Sequence, residues 1–226
     1  KDRYLLEANG SYSGSEKFAP GQRFGFFPSI GVGWVASEEP FIKNNTENWL
    51  DLLKVNYSYG ITGDDPGSRF QYFQSYAAVN SGINLGYDNL TNYGPRYTEG
   101  DLANLNSTWE ESRVHNLSFK LDVLKKLNLS LDLYKEERTG ILMDVRLPSF
   151  IGVPGFATGN IGETKKHGYE FQIGWKDKIT DDLKYGINFN TAFSENRVVY
   201  RNDPRLEPSY LQEAGKPIGW TGRLEE

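Results

Sequence analysis

The sequence predicts an all-β chain: one antiparallel sheet with an apolar and a wet face, forming the wall of a transmembrane β-barrel or half of a soluble β-sandwich. Three observations lead there. In Leu127-Asn-Leu-Ser-Leu-Asp-Leu-Tyr134, four leucines alternate with Asn128, Ser130, Asp132 and Tyr134. A strand sends successive side chains to opposite faces, so period-two alternation makes one side greasy and the other polar. Hydrophobic residues make up only 38% of the 226 and the mean hydropathy is -0.60, so no stretch reads as a transmembrane helix. Barrel strands show lipid only alternate residues and therefore average out as soluble. Finally, 14 Tyr, 13 Phe, 5 Trp and 24 Gly suit turn-rich β-structure with amphipathic rings at interfaces.

Seven segments carry the alternating pattern. The first, Tyr4 to Ser13, sets Tyr4, Leu6, Ala8, Gly10 and Tyr12 on one side. In the second, Gln22 to Val35, Phe24, Phe26, Pro28, Ile30, Val32 and Trp34 share a face, with Phe27 and the glycines opposite. The third, Asp51 to Ile61, offers Leu53, Val55, Tyr57 and Tyr59. The fourth spans Trp109 to Val123, with His115, Leu117, Phe119, Leu121 and Val123 on the apolar side. The leucine strand is fifth and continues towards Val145. Gly168 to Trp175 is sixth. Leu183 to Tyr200 is seventh, with Tyr185, Ile187, Phe189 and Phe193 on its apolar side.

Strands four and five are joined by little more than Leu124 to Lys126, and six and seven by Lys176 to Asp182. The other connections are long: Thr62 to Thr108, Gly140 to Lys166, and Asn202 onward. The turn Ala36 to Leu50, in which Asn48 to Leu52 is expected to make a helical turn, falls at the short end. If strands run up and down, all long loops gather at one end, as in outer-membrane barrels and unlike sandwiches. In that order Trp34, Trp175 and Tyr185 reach the same short-turn rim on the apolar face, where an aromatic membrane girdle would lie.

Composition excludes several functions. Without cysteine there are no disulfides or thiolate metal sites. A formal charge of -5 argues against nucleic acid as a partner. Gly31-Val-Gly-Trp-Val-Ala36 fits a dinucleotide-loop spacing, but Pro40 and the extended context deny it the following helix. His115 and His167 are too few and too isolated for zinc. Asp64-Asp65 and Asp181-Asp182 sit in expected turns, where Asp caps the backbone; Asp64 and Asp65 are also suitable hard ligands for calcium. Glu110 and Glu111 are adjacent on a strand, point to opposite faces, and cannot flank one glycosidic bond as paired acids. No catalytic residue, cofactor site or metal site is assigned, and the chain is read as a non-enzyme.

The residues also carry a family resemblance. Phe27-Pro-Ser-Ile-Gly-Val-Gly-Trp34 with Ser37-Glu-Glu-Pro-Phe41, Leu53-Lys-Val-Asn-Tyr-Ser-Tyr-Gly-Ile-Thr-Gly63, Thr108-Trp-Glu110, Asp132-Leu-Tyr134 through Leu142-Met-Asp-Val-Arg-Leu-Pro148, and Asn160-Ile-Gly-Glu163 with Gly168-Tyr-Glu170 follow one another in order. Together they resemble SusC/RagA-type TonB-dependent outer-membrane transporters. The chain departs from that pattern at Asp64, where Asn is usual, and at Asn106-Ser107, where Asn-Pro is usual. The resemblance implies that residues 1–226 are a C-terminal slice, about seven strands, of a plugged barrel of ~22 strands, with both ends cut from a longer protein and the plug not included. It implies an outer-membrane location and import of a large nutrient, an oligosaccharide before others. Its implied partners are a surface SusD-like lipoprotein, periplasmic TonB with its inner-membrane motor, and membrane lipid. The alternative is a secreted lectin-like sandwich. In either case the aromatics of the longest connection, Phe70, Tyr72, Phe73, Tyr76, Tyr87, Tyr93 and Tyr97, suit sugar rings, a capping partner, or the loop's own packing. Contact is expected through Tyr72, Tyr76, Tyr93 and Tyr97.

Overall fold

The computed structural model describes residues 3–79, 95–145, 157–203, 208 and 210–220. Seven long strands form one antiparallel sheet, each paired with its sequence neighbour among the seven: β1 (Tyr4–Gly14), β2 (Phe24–Val35), β3 (Leu50–Asp64), β6 (Glu110–Val123), β7 (Leu127–Val145), β8 (Ala157–Lys178) and β9 (Lys184–Tyr200). A separate ribbon pairs β4 (Tyr76–Val79) with β5 (Arg96–Glu99) inside the long connection between β3 and β6. The seven alternating segments are the seven strands of the sheet.

Register makes the two faces explicit. Across β3, β6, β7, β8 and β9 run the rows Tyr57–Leu117–Leu133–Tyr169–Phe193 and Val55–Phe119–Leu131–Phe171–Thr191. Residues opposite each other on paired strands share a face, so the apolar sets of all strands merge into one surface. The other face carries Ser58, Asn116 and Tyr134, then Ser118, Asp132, Glu170 and Ala192.

No second sheet packs on this one among the described residues. Phe18, Ala19, Ala36 and Val198 are their only buried apolar side chains. A sandwich needs two sheets enclosing a core, so the lectin-like alternative is set aside. Among the described residues no strand pairs with the outer side of β1 or β9, although Gly215 and Lys216 hydrogen-bond back to Val198 on β9 at 2.8 Å.

Three expectations need correction. The sixth strand extends well beyond Gly168–Trp175, reaching from Ala157 to Lys178, while β7 runs on to Val145 as expected. The described residues of the connection expected over Gly140 to Lys166 are therefore strand, with the β7–β8 register shifting around Gly140 (φ 68). Apolar residues run together at Ile141 to Met143 and polar ones dominate Thr158 to Lys166, so the alternation is lost while the backbone ladder continues. Third, the helical turn is not at Asn48 to Leu52. Helix α1 spans Pro40–Thr46, with Pro40 at its first turn where a missing N–H costs nothing, and Leu50 is already in β3. The tight link between β6 and β7 holds as expected, with Leu124 and Lys125 at φ 54 and 55, the left-handed pair that a twisted hairpin requires.

Candidate functional site

The end of the sheet that carries the long connections is tied together by the motif residues themselves. Phe18, 1% exposed, meets the Trp109 indole edge-on at 5.5 Å, and Phe27 meets it from the other side at 5.2 Å. Trp109 Nε1 donates to the Arg23 carbonyl (3.2 Å), while Arg23 Nε donates to that of Phe18 (3.1 Å). Phe27 also lies flat across the β3 backbone: a Cβ at Gly63 would collide with its ring. Glycine is thus required where a neighbouring strand's aromatic ring covers the chain.

Beside this aromatic cluster sits a polar knot. Glu110, 4% exposed, accepts from the Leu142 N–H (2.8 Å) and pairs with Arg138 Nη2 at 3.1 Å. The same nitrogen reaches Asp64 at 2.7 Å. The Asn160 amide donates to the Thr108 and Gly140 carbonyls (2.8 Å each), and its oxygen accepts from the Thr108 N–H (3.0 Å). Asn104 donates to the Thr158 carbonyl at 2.9 Å. Backbone groups out of reach of water need partners, and Glu110 and Asn160 supply them at Thr108, just before β6, and at Gly140 and Leu142, where the β7–β8 register shifts. Sequence reasoning treated these motifs only as marks of kinship and missed the knot. The signal was there in Trp109-Glu110 and Asn160, isolated polar and aromatic residues at strand ends. Glu111 points away from Glu110 and pairs with Arg113 at 2.9 Å, as the strand alternation requires.

Asp65 anchors the first connection: it accepts from Ser15 Oγ (2.6 Å) and lies 3.5 Å from Lys17 Nζ. The Ser15 hydroxyl, then the Lys17 ammonium, hold its carboxyl below the ordinary range against the opposing effect of burial. Asp64 and Asp65 thus face Arg138 and Lys17 rather than one another.

The expected contact aromatics separate into two groups. Tyr72 is half-buried, its hydroxyl 3.3 Å from Arg23 Nη2 and its ring 4.5 Å from that of Phe73. Phe70, at φ 63, and Phe73 expose 54% and 62% of their surface beside it. On the β4–β5 ribbon Tyr76 stands opposite Glu99 and Ala78 opposite Tyr97, so Tyr76 and Tyr97 share one face, both wide open. Tyr87 and Tyr93 lie outside the described residues.

At the opposite rim, Glu39 is buried and gathers Tyr4 OH (2.6 Å), Arg3 Nη1 (3.1 Å) and Trp34 Nε1 (3.2 Å). The Tyr4 and Trp34 hydrogen bonds, then Arg3, hold its carboxyl below the usual range against burial. Trp175 Nε1 comes within 3.4 Å of the Tyr185 hydroxyl. Within β2, Gly31 and Gly33 are strand residues of the wet face rather than a phosphate loop.

An open, one-sheet meander with an apolar face, long connections at one end and short turns at the other is the wall of a transmembrane β-barrel. The family model described as "TonB dependent receptor-like, beta-barrel" matches residues 1–223, and the chain belongs to that family; it is part of an outer-membrane β-barrel. It is 31% identical over 223 residues to the TonB-dependent receptor P39 of Formosa agariphila, covering 97% of this chain and 20% of that protein. To the TonB-dependent receptor SusC of Bacteroides thetaiotaomicron it is 28% identical, covering 96% and 21%. The chain thus spans about a fifth of these relatives' length. A structure of the RagAB peptide importer in its closed-closed state superposes with TM-score 0.73 at 19% identity, over 95% of this chain and 23% of that one.

Proposed function

We propose that residues 1–226 are a slice of the barrel of a receptor that imports an oligomeric nutrient, a glycan fragment first, across the outer membrane. The observation carrying this is the slope of the aromatic rim against the sheet's register. Followed along paired residues, Trp34 on β2 leads through Val55, Phe119, Leu131 and Phe171 to Thr191 on β9. Tyr185 lies six residues further towards the short-turn end of β9, and Trp175 lies four beyond Phe171 on β8. Two residues advance about 6.7 Å along a strand and neighbours stand about 4.8 Å apart. The three aromatics thus fall on one level if strands tilt roughly 35–40°, the tilt of membrane barrels. This supports Trp34, Trp175 and Tyr185 as the girdle of one membrane surface.

In such a barrel the short turns are periplasmic and the long connections face outward. Tyr76 and Tyr97, open on one ribbon face, and the Phe70–Tyr72–Phe73 cluster then project above the lumen. Flat rings edged by amides and carboxylates suit the C–H faces of sugars. The importer at 19% identity is described as one for peptides, but a shared fold does not carry cargo. The reading places a SusD-like surface lipoprotein over these loops, with TonB and its inner-membrane motor drawing on a plug from the periplasm. The role of this segment is binding and passage, with no bond made or broken.

The test is uptake by the full-length receptor with residues 70–97 deleted, and separately with Tyr76→Ala and Tyr97→Ala. Deletion should abolish uptake or lipoprotein binding while the barrel still assembles in the outer membrane. Growth of the deletion strain at the normal rate on a limiting oligosaccharide would show that the loop is only cover.

A further inference from the structure

We propose that the outward face of β6–β9, just beyond its apolar band, is a binding site for the phosphate groups of an outer-leaflet lipid. The proposal rests on the reading of this sheet as an outer-membrane wall with its long connections outside.

On the apolar face, the row Leu117–Leu133–Tyr169–Phe193 is followed, one pleat further towards the long connections, by His115–Lys135–His167–Glu195. The next row is Arg113–Glu137–Lys165–Arg197. Within two steps the surface changes from wholly apolar to charged, without leaving the lipid-facing side. Charge cannot sit in hydrocarbon without partners, so these rows lie at headgroup level. The opposite rim of the same face carries Trp34, Trp175 and Tyr185 instead. The two membrane surfaces are therefore met by different chemistry, aromatic on one side and ionic on the other.

Four Lys and Arg side chains stand in these rows against two carboxylates, and Glu111, one step further on the same face, takes Arg113 at 2.9 Å, which leaves Lys135, Lys165 and Arg197. Glu137 lies 2.9 Å from Lys135 and 3.4 Å from Lys165; Glu195 lies 3.7 Å from Arg197 and 4.0 Å from His167. The carboxylates hold the cations in an array across three strands without neutralising it. The Lys135, Lys165 and Arg197 side chains remain 58%, 52% and 63% exposed. Pairs so exposed are weak and exchange readily with another anion. A phosphate offers more negative charge than a carboxylate and several acceptor oxygens, matching lysine point charges and the Arg197 fork. A lipid brings it to this height with its chains along Leu133, Tyr169 and Phe193. An anion arriving from solution would have no use for that apolar strip. This contiguity assigns the site to a phosphorylated lipid.

The experiment compares the full-length receptor with a Lys135→Gln, Lys165→Gln, Arg197→Gln variant in nanodiscs containing diphosphorylated lipid A. Lipid retained after mild detergent extraction is counted by native mass spectrometry. The variant should retain roughly a hundredfold less, as expected for three cations at headgroup level. Fully dephosphorylated lipid A should be held weakly by both proteins, and Lys126→Gln at the far rim should change nothing. Equal retention by variant and parent overturns the proposal, as does equal retention of phosphorylated and dephosphorylated lipid. Binding of inorganic phosphate alone, with the same dependence on the three cations and full displacement of lipid A, would make the site one for free phosphate and overturn the lipid assignment. Heat-modifiable gel mobility and detergent dependence report separately on the barrel, so their loss would indict the wall reading instead.

Discussion

Single residues at the long-connection end act as fasteners, and their chemistry dictates how each fails. Asp65 holds the first connection to the end of β3 through Ser15 and Lys17. Its folded carboxyl titrates below its unfolded value, so the tie is fully present above the unfolded carboxylate range and is lost as pH falls through the lowered folded value. Hydrogen-exchange protection of residues 15–23 in the full-length receptor, taken relative to the intrinsic rate at each pH, should therefore fall on acidification. In an Asp65→Asn variant protection should be low already at neutral pH and less dependent on acid. An identical pH profile in both proteins would remove Asp65 from the account. Gly63 makes a steric prediction. A methyl there drives the Phe27 ring off the strand and away from Trp109, so Gly63→Ala should cost about 1–3 kcal/mol, the usual range for overpacking. Adding Phe27→Leu should recover part of it, as read by chemical denaturation in detergent.

At the scale of the element, β6 and β7 form a hairpin whose odd-numbered residues make one continuous apolar strip. Leu117 to Val123 stand opposite Leu133 to Leu127, pair by pair. With lipid on that side, a fluorescent label at Leu129 should report hydrocarbon, and one at Ser130 should report water or protein. Equal exposure at the two positions would break the assignment of faces. Leu129→Arg should cost ~2–4 kcal/mol near the bilayer midplane, whereas Ser130→Arg on the wet face should be far milder. Elements also mark where sequence reading lost its footing. Leucine and aromatic alternation located β6, β7 and the inner half of β8, because burial against lipid selects apolar residues at every second position. The outer part of β8 escaped, because its neighbours there are Lys165, Lys166 and His167 on a surface wet on both sides. A ladder of backbone hydrogen bonds needs no hydrophobic period to continue.

As a whole, this segment has almost no interior of its own. Among the described residues, the four buried apolar side chains lie at the two ends of the sheet, and nothing packs on the broad apolar face. Folding in water would leave that face and both edges exposed, with too little burial to offset the conformational entropy of the long strands. The isolated 226-residue piece should therefore show no cooperative thermal transition in detergent-free buffer. A sharp transition there would contradict the barrel. What the sequence alone determined was local and periodic: seven strands, the face of nearly every side chain, the tight Leu124–Lys126 turn, and the end at which the long connections gather. Alternation is written in neighbouring residues, so it can be read without knowing what they touch. Only the tertiary structure decided that Glu110, Arg138, Asp64 and Asn160 form one knot, that Glu39 collects Arg3, Tyr4 and Trp34, and that Tyr76 and Tyr97 share a face while Tyr72 turns inward. Apart from Trp34 and Glu39, five positions apart, those contacts join residues 20 to 74 positions apart or depend on how a loop folds back. Their partners are common polar and aromatic side chains whose pairing leaves no period in the chain.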